Sequence, residues 1–231
     1  MSKRFASIVV LMVGIAIVSG GVARADGKRL TRKVEVSAEI IKELFELPDS
    51  APARHLEKEA DCIAVIPHIV KGAFWIGVRH GNGVISCQNE NGSWSPPAFV
   101  NLTGGSFGVQ FGAEVTDLVL FFMTKRGVES LLKSKFILGA DASIAAGPVG
   151  RSAEVATDIR VKAEIYSYAK SRGLFAGVAL DGARIAIDQK ATNRFYGDRL
   201  WPEQILFEDQ VSNVPSEVWH LITALEGQGG P

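Results

Sequence analysis

Across residues 106–116 the chain alternates without a break. Phe107, Val109, Phe111, Ala113 and Val115 are apolar or small, and Ser106, Gly108, Gln110, Gly112, Glu114 and Thr116 lie between them. A period of two sends successive side chains to opposite faces, so a strand here puts one face into a core and the other toward solvent or a polar interior. Residues 62–66, 73–79 and 84–89 also read as short strands, separated by Pro67 and by Gly81-Asn82-Gly83, and Asn91-Gly92 follows before Trp94. Asn-Gly favours the positive-φ turns that close short hairpins, which argues for antiparallel pairing. Residues 118–123 are continuously apolar and are expected to be buried on both faces. Three more strands are expected at 163–170, 174–180 and 183–187, the last two joined as a hairpin at Asp181-Gly182.

Helices frame these strands. From 30 to 47, Leu30, Val34, Ala38, Ile41 and Phe45 share one face; Pro48-Asp49 then stops the helix and Ser50-Ala51-Pro52 reads as a loop. Shorter amphipathic helices are expected over 127–135 and 215–225. The composite is an α+β fold, a single domain of antiparallel strands, barrel- or sandwich-like, with N-terminal, middle and C-terminal helices.

Ahead of this domain, Lys3-Arg4, an apolar run from Phe5 to Val18, and Ala23-Arg24-Ala25 have the order of a secretory signal peptide, with cleavage expected after Ala25. The competing reading is a retained anchor, against which Gly20-Gly21 break the apolar run. The expected domains are 1–25 as signal and 26–231 as one domain, exported to the periplasm or cell envelope and peripheral to a membrane. The full chain balances 25 basic against 25 acidic residues; the signal holds Lys3, Arg4 and Arg24 and no acid, so the remainder is mildly acidic. That excludes an electrostatic nucleic-acid binder, and any membrane affinity has to come from a local patch.

Cys62 and Cys87 are the only cysteines. In an exported chain a disulfide between them is expected over two separate thiols or a zinc site, for which no Cys-x-x-Cys or His-x-x-x-His pair exists. His55, His68, His80 and His220 have no recognisable nucleophile beside them, and the glycines form no phosphate-binding loop. The expectation is no enzyme, no cofactor and no metal. Two basic clusters remain as lipid-binding candidates: Lys28, Arg29, Arg32 and Lys33 at the head of the first helix, and Lys125, Arg126, Lys133 and Lys135 around the middle one. Glu35, Glu39, Glu43 and Glu46 farther along the first helix favour packing on the sheet over lying in a membrane. Trp75, Trp94 and Phe99 are read as core rather than ligand groove.

Residues 60–197 resemble the SYLF domain family. The similarity is carried by ADCIAVIPHIVKGAFWIGVRHGNGV (60–84), SWSPPAFVNLTGGSFGVQFGAE (93–114), DLVLFFMTKRGVESLL (117–132), LGADASIAAGPVGR (138–151), GLFAGVALDGA (173–183) and NRFYG (193–197). The resemblance implies phospholipid binding, and for some members actin binding. With an export signal ahead of the module, the expected partners are anionic phospholipids or a membrane surface, with envelope proteins as the alternative. Actin and nucleic acid are not expected.

Overall fold

The computed structural model describes residues 26–48, 50–73, 76–107, 112–132, 136–149, 163–197 and 199–227. The first helix, α1, spans 26–46 and is followed by α2 (Ala51–Glu59). Four long strands come next: β1 (Cys62–Ala73), β2 (Ile76–Cys87), β3 (Ala98–Phe107) and β4 (Gly112–Phe122). Then come α3 (Lys125–Leu132), β5 (Phe136–Ile137), β6 (Ile144–Ala146), β7 (Ile165–Ser171), β8 (Leu174–Gly177) and β9 (Arg184–Ile187). Helices α4 (Gln189–Tyr196), α5 (Pro202–Leu206) and α6 (Ser216–Leu225) complete the order. The strands form one nine-stranded sheet in the order β5-β9-β3-β2-β1-β4-β7-β6, with β8 also on β7; every pairing is antiparallel except β6 with β7.

The apolar periodicity of the N-terminal segment is realised as α1, whose Leu30, Val34, Ile41 and Phe45 pack with Ile63, Val65, Val84, Phe99, Val119 and Phe121 on one sheet face. Helices α2 and α6 cover the same face. Its last carbonyls do not go begging, because Ser50 Oγ and the Arg54 guanidinium both donate to the Phe45 carbonyl. The other face carries Ala64, Ile66, Ile85, Val100, Leu120 and Phe122 and packs with Val128 and Leu131 of α3, Phe136 of β5 and Leu206 of α5. Residues 118–122 are buried on both faces, as their uninterrupted apolar character requires.

Several features differ from the sequence reading, among them the expected strand 73–79, which falls across the end of β1 and the start of β2, residues 74–75 lying outside the described residues. The segment 106–116 is two strands: β3 ends at Phe107 and β4 begins at Gly112, so the period-two pattern runs through a connection. Gly81-Asn82-Gly83 is no turn but the middle of β2, and Pro67 lies within β1. Both go with a bulge between Ile66 and Ile69 in β1, where His68 takes φ 54° and its N–H donates to the Asp117 carboxylate of β4 rather than to a backbone carbonyl. The bulge crowds β2: a Cβ on Gly83 would stand 2.0 Å from the Val65 carbonyl oxygen, and one on Gly81 2.7 Å from the Ile69 side chain. Asp181-Gly182 does turn, with Gly182 at φ 75°, but joins no hairpin, since β8 pairs with β7 and β9 with β3 and β5. Finally, Ser50-Ala51-Pro52 is the entry to α2, Pro52 sitting in the first turn where a missing N–H costs nothing.

Cys62 and Cys87 face each other across β1 and β2 and are joined by a disulfide. Mass spectrometry of unreduced protein should find two hydrogens missing, and reduction should cost about 3 kcal/mol of stability, the cross-link's restriction of the unfolded chain. Gly83→Ala should cost about 2 kcal/mol or more in urea unfolding, because backbone has to move to admit the methyl group. Gly105→Ala, where nothing lies within 4 Å of the added carbon, is the matched control and should change stability little.

Candidate functional site

The first basic cluster is split by the helix that carries it. Consecutive residues turn about 100° around α1, so Lys28, Arg29 and Arg32 face outward while Lys33 folds against the sheet. Its Nζ donates to the Asn82 carbonyl at 2.7 Å, and burial, then the charge of Arg29, hold its ammonium below the usual range. Arg32 pairs loosely with Glu35 at 3.6 Å and its side chain remains 67% exposed. Two ion pairs anchor the helix at its ends: Asp26 with Arg194 of α4, and Glu43 with Lys170 of β7. The acidic residues of α1 thus serve in part to dock it, which fits the packing reading of the helix.

Of the second cluster, Lys125 opens α3 on the opposite side of the sheet. Helix α3 packs on the face away from α1, so one flat surface cannot take both clusters. Lys133 and Lys135 lie outside the described residues, as does the side chain of Arg126. Lys125 is exposed, but it borders a cleft of about 480 Å³ shared with Asp61, Glu90, Glu129 and Glu203, alongside Gln88, Asn89, Leu132 and Phe207. Four carboxylates around one ammonium make this surface unattractive to an anionic headgroup. Sequence reasoning missed these acids because they come from four separate segments. Burial pushes the Asp61 carboxyl above its usual range, offset in part by the Lys125 charge and by the Lys125 N–H bonded to it. Glu57, on α2, is likewise raised by burial, partly offset by Lys58, by a hydrogen bond from Trp94 and by Arg54.

Nothing resembling a nucleophile relay joins the histidines. His68 and His80 are exposed, whereas Ser86 is buried and donates to the Ser95 carbonyl at 2.7 Å. Ser86 stands six positions along β2 from His80, about 20 Å away at strand rise. No group of three or more metal-ligating side chains exists among the described residues. Trp94 and Phe99 are core residues at 4% and 1% exposure; Trp75 lies outside the described residues.

The most distinctive sequence segments meet in space and brace each other. Leu138 N–H donates to the Ala183 carbonyl and Gly182 N–H to the Leu138 carbonyl, both at 2.8 Å, tying 138–149 to the segment after β8. Gly177 lies so close to Gly147 that a Cβ would reach 2.1 Å from its carbonyl oxygen, and Tyr168 Oη donates to the Pro148 carbonyl. In α4, Thr192 accepts the Phe99 N–H, Phe195 packs edge-on to Phe99 at 5.2 Å, and Tyr196 Oη donates to the Pro97 carbonyl. These roles are structural.

A curled, mostly antiparallel sheet held between two layers of helices defines an α+β domain. The family model described as Ysc84, Las17-binding protein actin regulator, matches residues 103–228. The chain is 34% identical over 187 residues to SH3 domain-containing YSC84-like protein 1 of Homo sapiens and of Rattus norvegicus, covering 78% of this chain and 54% of each relative. It is 38% identical over 152 residues to LAS seventeen-binding protein 3 of Saccharomyces cerevisiae, covering 64% of this chain and 33% of that protein. The chain belongs to the Ysc84 family, whose domain is the SYLF domain. It spans about half the length of the mammalian relatives and a third of the yeast one. The expectation that actin is no partner finds no support in these relatives.

The buried carboxyls give a pH signature. A carboxyl whose folded pKa exceeds its unfolded one costs stability above the folded value, and the cost is relieved as pH falls through it. The double variant Glu57→Gln, Asp61→Asn should therefore be more stable than the parent at pH 7, with the difference closing as pH falls toward the ordinary carboxylate range. Urea titrations at a series of pH values measure it; a difference that widens toward acid contradicts the assignment.

Proposed function

We propose that this chain is an exported, non-enzymatic module that binds anionic phospholipid at an envelope membrane, using Lys28, Arg29 and Arg32. The observation that carries the reading is the exposure of these three cations on the outer side of α1, on a domain whose overall charge supplies no attraction. The signal-like segment ahead of α1 and the family resemblance support the compartment and the ligand class. Lys33 acts behind them as a positioning residue through its bond to Asn82. The Lys125 surface is left out, since the carboxylates around its cleft repel the same headgroups.

A second reading rests on the relatives' names: a module that holds a protein partner, as the Las17-binding members are named for doing. Co-sedimentation with phosphatidylglycerol or cardiolipin vesicles separates the two. Charge reversal of Lys28, Arg29 and Arg32 should abolish most vesicle binding at low salt, each cation near an anionic surface contributing about 1 kcal/mol. Lys125→Glu should leave binding unchanged. Parent protein that stays in the supernatant at low salt favours the protein-partner reading.

A further inference from the structure

The β1–β2 and β3–β4 connections lie at one end of the sheet, and the register there sets residues in rows across four strands. On the face that α1 covers, the innermost row is Phe99, Val84, Val65 and Val119, all buried. Outward of it come Asn101 and Asn82, with Asp117 on β4 holding the His68 N–H at the bulge. The next row is Thr103, His80, Val70 and Val115, and the one after it Gly105, Val78, Gly72 and Ala113. Val70 and Val115 are each 52% exposed and Val78 is 59% exposed. Apolar core gives way to a polar belt, and beyond it exposed valines stand on β1, β2 and β4, with Thr103 and His80 completing their first row. Such an outer zone is not the frayed edge of the core, which would grade from buried to exposed without an interruption. A solvated strand face ordinarily carries polar side chains at such positions.

One observation chooses what covers it. Lys33 bonds to Asn82 within the polar belt, so α1 and its outward Lys28, Arg29 and Arg32 stand on the same side of the sheet as the three valines. Exposed apolar side chains and exposed cations on one side of a sheet suit the headgroup boundary of an anionic bilayer, where each part gains. We propose that this end of the sheet faces the bilayer, with Val70, Val78 and Val115 entering the headgroup boundary of an anionic membrane. The inference rests on the lipid reading above and adds an orientation and a depth to it.

The test compares three proteins on vesicles of equal parts phosphatidylcholine and phosphatidylglycerol at low and high salt: the parent, the triple variant V70T/V78T/V115T, and the charge reversal of Lys28, Arg29 and Arg32. Threonine keeps shape and strand preference, and an unchanged circular dichroism spectrum and urea midpoint confirm a folded domain. The threonine variant should bind about tenfold more weakly at both salt concentrations, because the lost contribution is apolar and unscreened. The charge variant should lose binding mainly at low salt. Equal binding by the threonine variant and the parent overturns the orientation while leaving the lipid reading intact. A parent that binds no vesicle overturns both and points to a protein partner. A concentration-dependent dimer that the threonine variant loses also overturns the proposal, since the valines would then cover each other.

Discussion

Strands β1 and β4 carry apolar side chains on both faces, with Ile63, Ala64, Val65 and Ile66 opposite Leu118, Val119, Leu120 and Phe121, none more than 1% exposed. A sheet apolar on both sides in its middle has to be covered twice. Helices α1, α2 and α6 answer one face, and α3 and α5 the other. That division decides more than stability. It puts Lys125 on the side of the sheet away from Lys28, Arg29 and Arg32, sets α1 within reach of Asn82, and leaves Val70, Val78 and Val115 exposed. The functional geometry is a by-product of where the covering stops.

The bulge in β1 governs how closely the central strands approach. Its extra residue needs room that only Gly81 and Gly83 give, and it re-aims the backbone so that Asp117 holds the His68 N–H. Glycine at these places is a packing residue. The same holds for Gly147 and Gly177, whose backbones nearly touch where two of the family's most distinctive segments meet. Glycines that mark the family thus hold the scaffold, whereas the exposed cations of α1 lie outside the segments that carry the family resemblance.

Much of this was readable in the chain. The first helix, the doubly buried run 118–122, the last helix, the turn at Gly92 and the cysteine pair all follow from local periodicity or from there being only two cysteines to pair. The hairpin boundaries were not, because a period of two continues unchanged through the β3–β4 connection and because glycine beside asparagine signals a turn and a tight crossing equally well. Lys33 turned inward one position after an exposed Arg32, a consequence of helical angle that a count of basic residues ignores. The acids around Lys125 come from segments far apart in sequence, so only the fold assembles them. The exposure of Val70, Val78 and Val115 depends on where the helices end, which no local pattern encodes.

The disulfide has a consequence for how the chain reaches this state. Cys62 and Cys87 stand at the root of the β1–β2 hairpin, at the end opposite its connection, so oxidation turns residues 62–87 into a closed ring. Within that ring the two strands cannot drift far apart even when nothing else is folded, and contacts across it are formed at the short loop lengths that make pairing fast. The register the bridge imposes is the one that sets Gly83 against Val65 and Ile66; a slip of one residue would bring a side chain to that crossing and turn every apolar residue of β2 to the wrong face. A covalent bond made early would therefore act as a ruler, measuring out the alignment on which the central strands, and the helices that cover them, afterwards assemble.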